Sequence, residues 1–265
     1  MWIDTHVHLD AAEFAADRPA VMARARAADV HGLVIPAIGR HNFTTVRALA
    51  HSLPGAAYTL GIHPLCVMAA ADEDLEHLQE AVAAAQGDPR FVGIGEIGLD
   101  GFVPGLDMAR QIRFFRGQLK IARNHALPVL LHVRKAQDLV LRHLREIAPP
   151  TGIAHAFNGS FQQAGQFIGL GFALGFGGNL TFERARQIRR LAVELPIDAI
   201  VLETDAPDIA PAWRYKQRNE PAEVARIAQE LAALRGMPLT ELAAVTGANA
   251  KRVLRGWHGE TIRMR

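Results

Sequence analysis

The chain has 265 residues, 49% of them hydrophobic, with 29 basic against 27 acidic side chains and a formal net charge of +2. That length can bury a large core, and the near-balance of charge excludes a molecule that holds nucleic acid by bulk electrostatics alone. The single cysteine, Cys66, excludes an internal disulfide framework and fits a reducing compartment.

The longest apolar run, Phe167–Gly178, is studded with glycine and falls short of the roughly 20 residues of a membrane span. Asp4, His6 and His8 interrupt what would be the apolar part of a cleavable signal. The expectation is a cytoplasmic monomer without membrane contacts. Lysine occurs only at Lys120, Lys135, Lys216 and Lys251, so the basic groups are mostly arginine. Arginine's planar fork suits phosphate or carboxylate.

Strand-like and helix-like segments alternate along the chain. Short apolar runs predict strands at Met1–His8, Gly32–Ala37, Ala57–His63, Phe91–Ile97, Pro128–Val133, Gly152–Phe157, Phe172–Phe176 and Ala199–Thr204. Helical patterns lie between them at Arg18–Ala28, Asn42–His51, Glu73–Gln86, Met108–Asn124, Ala136–Ile147, Phe161–Gly169 and Phe182–Glu194. The fourth helix has Asp107 as an N-cap and an apolar stripe of Met108, Ile112, Phe115, Leu119 and Ala122. Arg110, Arg113 and Arg116 fall outside that stripe and are expected to be solvated. Two or three helices close the chain, at Pro221–Arg235, Leu239–Val245 and Ala250–Leu254, with Pro238 and the Gly247/Asn249 pair as breaks.

Eight strands alternating with helices predict a (β/α)8 TIM barrel with extra C-terminal helices, one domain over residues 1–265. A doubly wound open sheet is the alternative, but its glycine-rich turn after the first strand is missing.

In such a barrel functional groups gather where strands end. The first strand ends with His6 and His8, which strand alternation puts on one face. The third ends with His63, the fourth carries Glu96, the fifth His132 and the sixth His155. The eighth runs into Glu203, Thr204 and Asp205. The other seven histidines (His31, His41, His51, His77, His125, His143 and His258) lie mostly on helices or element starts and are expected to be solvated or capping. Singly, each strand-end residue has an ordinary explanation, such as a hydrogen-bonded core histidine or a loop cap. Together, five imidazoles and several carboxylates in one barrel mouth would suffer heavy desolvation and repulsion without a cation. Neutral imidazoles with carboxylates suit Zn²⁺ or Mn²⁺, and Mg²⁺ where carboxylates dominate.

Ile3–Asp10 (IDTHVHLD), Gly95–Asp100 (GEIGLD), Pro128–Arg134 (PVLLHVR), His155–Gly159 (HAFNG) and Leu202–Pro207 (LETDAP) resemble, in order, the blocks of the TatD family of metal-dependent deoxyribonucleases. Arg218–Pro221 (RNEP) and Thr246–Asn249 (TGAN) resemble its C-terminal blocks, so the resemblance spans essentially the whole chain. It implies an amidohydrolase-type barrel acting on DNA ends, single-stranded or at termini, with two divalent ions. His6, His8, Glu96, His132, His155 and Asp205 match the family's metal positions, with Glu96 bridging. Gly101 stands where many members carry an aromatic residue, and Asn158 replaces a common serine. That pattern is similar to the YjjV-like branch of the family.

On this resemblance, His6 and His8 serve one ion and His132 and His155 the other. Two ions so placed can activate water and clamp phosphoryl oxygens. Asp205, kept ionised by nearby cations, is the expected proton acceptor, His63 a rim residue that orients substrate or protonates the leaving oxygen, and Glu203 an acceptor for a ligating ring. Trp213, Arg214 and Tyr215, in a loop that interleaves aromatic and basic groups through Arg218, are candidates for stacking on a base beside a phosphate; a solvated loop is the competing reading. Arg134, on the face of His132, is a second phosphate candidate. Two other functions remain open: hydrolysis of a small ester, amide, lactone or aminoacyl ester by the same ions, and a non-catalytic metal-stabilised scaffold. No lysine replaces a strand-end ligand, and both Glu96 and Asp205 are present, which favours the nuclease.

Overall fold

Short apolar segments rich in Val, Ile and Leu cannot face water on either side, and here they become the staves of a barrel. The computed structural model describes residues 1–254 and Trp257; His258 lies outside the described residues. The strands are β1 (Trp2–Asp4), β2 (Val30–Pro36), β3 (Ala56–Leu60), β4 (Phe91–Asp100), β5 (Val129–Arg134), β6 (Gly152–Ala154), β7 (Phe172–Phe176) and β8 (Ile200–Leu202). They pair in parallel in sequence order from β1 to β8. The seam between β8 and β1 is drawn together beyond the strand ends, where Thr5 N–H donates to the Leu202 carbonyl at 3.0 Å and Val7 bridges to Ala206. The result is a nearly closed (β/α)8 TIM barrel.

Helices α1 (Arg18–Ala27), α2 (Phe43–Ser52), α3 (Asp74–Ala85), α4 (Met108–Asn124), α5 (Gln137–Ile147), α6 (Phe161–Gly169) and α7 (Arg186–Glu194) cover the outside, followed by α8 (Glu223–Arg235) and α9 (Leu239–Val253). Two apolar layers result. One residue per strand, from Ile3 and Val34 round to Ala173 and Val201, fills the barrel interior, and Ala250, Val253, Leu254 and Trp257 join that cluster from the C-terminal end of the chain. A larger layer lies between the sheet and the helices. Polar chemistry is therefore left to the C-terminal mouth. No helix among the described residues is long and apolar enough to cross a membrane.

Several boundaries differ from the sequence reading. The first strand stops at Asp4, the sixth at Ala154 and the eighth at Leu202, so His6, His8, His155 and Asp205 lie on the chain just past the ladder. The fourth strand instead continues to Asp100. Gly247 and Asn249 do not break the last helix. Asn249 donates outward to the carbonyls of Ile197 and Ile200, both at 2.8 Å, and so serves as a packing residue of α9. Residues 182–185 stay out of α7, which leaves Phe182 in extended conformation. Arg110, Arg113 and Arg116 are not simply solvated: the first two pair with Asp72, and the third with Glu146 of α5. His143, expected at the surface, is buried beside Arg116 and Phe115.

Candidate metal centre

The placement of the site begins with Asp4. Its buried carboxylate accepts from His6 N–H at 3.2 Å, from Thr204 N–H at 3.0 Å and from the Thr204 hydroxyl at 2.6 Å. Burial raises the Asp4 carboxyl to about 8 despite these donors. The clamp ties the end of β1 to the end of β8, and Asp205 N–H completes it by donating to the His6 carbonyl at 2.9 Å. Asp205 has φ of +57°, in the left-handed region, which aspartate tolerates better than bulky residues. Asn219 holds that turn from outside. Its amide donates to the carbonyls of Thr204, Asp208 and Ile209 at 2.8, 2.9 and 3.3 Å.

Glu96 lies at the centre, 1% exposed, and its two oxygens face different rings. Oε2 is 3.1 Å from His6 Nε2 and 3.3 Å from His8 Nε2. Oε1 is 3.1 Å from both His132 Nδ1 and His155 Nε2, and 3.3 Å from His63 Nε2. Asp205 Oδ1 stands 3.6 Å from the Nε2 atoms of both His6 and His8. The structure thus brings together His6, His8, His63, Glu96, His132, His155 and Asp205. Three overlapping sets have ligand atoms within 4.8 Å of one another: His6, His8 and Glu96; His6, His155 and Asp205; and His63, Glu96 and His132.

Neighbouring groups aim these rings. Asp100 Oδ2 lies 2.9 Å from His132 Nε2, which presents Nδ1 to the cluster. Glu203 Oε1 is 3.6 Å from His155 Nδ1, and Nε2 of that ring turns inward. Glu203 fits only because residue 175 is glycine; a Cβ there would lie 2.1 Å from Glu203 Oε2. His63 Nδ1 accepts from Leu65 N–H at 3.1 Å, so the neutral ring carries its proton on the inward-facing Nε2. His63 is buried rather than at the rim, and in this tautomer it is a donor.

Electrostatics sharpens the picture. Burial, with His155 beside it, lowers His6 to about 3 against the pull of Glu96, so that ring is neutral. Burial also opposes protonation of His8, but Glu96 and Asp205 outweigh it and raise that ring to about 9. Burial raises Asp205 to about 6 despite His155 and His8. The framework alone therefore does not keep Asp205 ionised well below neutrality; that expectation depends on cations. The donor set fits them. Imidazole nitrogens and carboxylate oxygens crowd within hydrogen-bond distance, including His6 Nε2 and His8 Nε2 at 3.3 Å. Shared positive charge relieves such crowding better than protons on mutually repelling rings.

The substrate candidates divide. Trp213 is half-buried; it donates to Glu223 at 2.6 Å and lies 4.0 Å below Arg226. Arg214 is committed to Glu223 at 2.8 Å and Glu220 at 3.5 Å, and Arg218 to Asp17 and Glu220. Tyr215 is 56% exposed. Arg134 stands at the mouth with its guanidinium 3.8 Å over the exposed ring of Phe102, one residue past Gly101.

Gln111, Gln118 and Asn219 carry supporting roles that sequence reasoning overlooked. Gln118 bonds both backbone groups of Ile62, at 2.7 and 3.0 Å, next to His63. Gln111 does the same for Asp100 at 2.8 and 3.1 Å. The available signal was two glutamines seven residues apart on the inner arc of an amphipathic helix, where apolar side chains are expected. Each serves as a substitute strand edge for chain leaving the barrel.

The family model of TatD-related DNases matches residues 3–255. The chain is 39% identical to an uncharacterized metal-dependent hydrolase, YjjV, of Escherichia coli K12, over 91% of this chain and 93% of that one. It is 34% identical to a Salmonella typhimurium protein named 3'-5' ssDNA/RNA exonuclease TatD, over 94% of this chain and 96% of that one. The crystal structure of the E. coli YjjV protein superposes with a TM-score of 0.92 at 37% identity, covering 96% of this chain and 97% of that one.

Proposed function

The chain belongs to the TatD-related DNase family of metal-dependent hydrolases, and from that premise we propose that it is an exonuclease-type deoxyribonuclease acting on single-stranded ends. The observation that carries this reading is the division of rings about Glu96, with Oε2 toward His6 and His8 and Oε1 toward His132 and His155. Those five residues and Asp205 would hold two divalent ions, Glu96 offering one oxygen to each side of the cluster. Such ions supply an acidified water and neutralise charge building on the phosphoryl oxygens. The name of the Salmonella relative supports a single-stranded nucleic-acid substrate.

The chain's own groups then have distinct work. Asp205, at the mouth and facing His6 and His8, accepts the proton of the attacking water at Oδ. His63 donates from Nε2, its Nδ1 being occupied by Leu65 N–H, to the oxygen that leaves. Asp100 keeps His132 in the tautomer that turns the Nδ1 lone pair inward. Glu203, 3.6 Å from His155 Nδ1, places a carboxylate behind that ring. Arg134 supplies a cation at the mouth for a phosphate of the strand.

The test is metal content of purified protein, then digestion of strands labelled at either end, with Mn²⁺, Mg²⁺ or Zn²⁺ and after chelation. Stepwise shortening that stops on chelation and returns with metal is expected. Intact strands under every metal, alongside turnover of a simple carboxylic ester, would refute the nuclease assignment.

A further inference from the structure

Between the loops that follow β7 and β8 lies a cavity of about 590 Å³. Asn179, Phe182 and Arg184 line it from one loop, and Ile209, Tyr215 and Lys216 from the other. Asn179 and Ile209 also line a narrow recess beneath it that reaches Glu203 and Asp205. The cavity therefore shares a wall with a recess that Glu203 and Asp205 line, on the side of the proposed proton acceptor.

Its chemistry is unlike that of the loop around it. Arg214 and Arg218 are neutralised by Glu220, Glu223 and Asp17. Arg184 and Lys216 have no carboxylate partner among the described residues. Each instead lies over an aromatic ring, Arg184 5.6 Å from Phe182 and Lys216 5.4 Å from Tyr215. The two rings meet edge to face at 6.1 Å, and Tyr215 is 56% exposed. Asp208 is the acidic residue of the lining, so two cations oppose one anion. The Asn179 amide makes no side-chain hydrogen bond among the described residues.

We propose that this cavity seats one nucleoside unit of the substrate strand, its base on Tyr215 and Phe182 and its phosphate toward Arg184 and Lys216. The proposal rests on the nuclease reading above and specifies the substrate for it. A site of this size matches a small-molecule ligand, so one unpaired nucleotide enters and a stacked duplex end must fray first. Stacking on aromatic faces tolerates every base, and the unpaired amide of Asn179 adds a modest preference through the base edge.

The experiment combines binding and turnover for wild type, Tyr215→Ala, Tyr215→Phe and Lys216→Ala. Binding of an oligothymidylate is measured with metal-loaded protein, and hydrolysis is compared between that strand and a strand of the same length built of abasic tetrahydrofuran units, a diester without a base or any aromatic ring. Loss of one base stack is worth about tenfold. Tyr215→Ala is expected to raise Kd and KM for the strand about tenfold more than KM for the base-free diester. Tyr215→Phe is expected to keep Kd and KM for the strand near wild type, and Lys216→Ala to weaken the strand with less effect at high salt. Equal effects on both substrates, or none on the strand, overturn the subsite while strand cleavage by wild type leaves the nuclease reading standing. Tyr215-dependent binding without cleavage of any phosphodiester overturns the nuclease reading and keeps the subsite. Neither binding nor cleavage overturns both.

Discussion

Removing the Asn219 side chain tests how the reactive turn is held. Asn219 is fully buried, and its amide donates to Thr204, Asp208 and Ile209 at 2.8, 2.9 and 3.3 Å, while its Oδ1 accepts from Glu220 N–H at 2.9 Å. In Asn219→Ala the carbonyls of Asp208 and Ile209, nearer the surface, regain water at little cost. Thr204 and Glu220 are 0% and 4% exposed, so their backbone groups lose their partners without gaining water. Each such orphan costs about 1–3 kcal/mol. The expected loss is about 2–6 kcal/mol, or roughly 4–24 °C in Tm at about 2–4 °C per kcal/mol for a chain of this size. Urea unfolding of the chelated protein measures it without a contribution from bound metal. Asp205, at φ +57° beside Thr204, loses its fixed orientation, and turnover below the new Tm is expected to fall roughly 10- to 100-fold. A Tm within about 2 °C of wild type together with full turnover would show that this staple neither stabilises the fold nor places Asp205.

Asp205→Asn keeps the shape and one ligating oxygen but cannot take a proton, so turnover should drop by roughly 10² or more with the metal content nearly intact; full activity with metals retained rules out the base. Glu96→Ala is expected to abolish metal binding and activity without unfolding the barrel, because its two oxygens face rings rather than apolar core. Near-normal metal content in that variant contradicts the bridge, and His125→Ala, at the end of α4, serves as the unaffected control. Gly175→Ala would drive a methyl to 2.1 Å from Glu203 Oε2 and displace the carboxylate behind His155. Metal affinity, read by competition with a chromogenic chelator, should fall roughly 10- to 100-fold, and an unchanged value removes Glu203 from the support of that ring.

The order of the strands and the candidate ligand residues were legible in the sequence because both depend on short-range pattern. Apolar runs of buried strands stand out between helical patterns, and alternation puts His6 and His8 on one face without reference to any other element. The barrel follows from the strict strand–helix alternation, and the barrel in turn says that strand-end residues meet. Tertiary structure decided what each polar side chain meets, since those partners are far apart in the chain. Arg110 and Arg113 have a helical surface pattern, yet pair with Asp72 across a loop. Arg214 and Arg218 suggested phosphate contacts until Glu220, Glu223 and Asp17 occupied them, which left Arg184 and Lys216 as the free cations of that loop pair among the described residues. The sequence suggests a rim position for His63, yet the ring is buried beside Ile62, whose backbone Gln118 holds. Periodicity reports which face of its own element a residue occupies. It carries no information about the neighbour across the gap, and at this mouth the neighbour determines which nitrogen a ring turns inward.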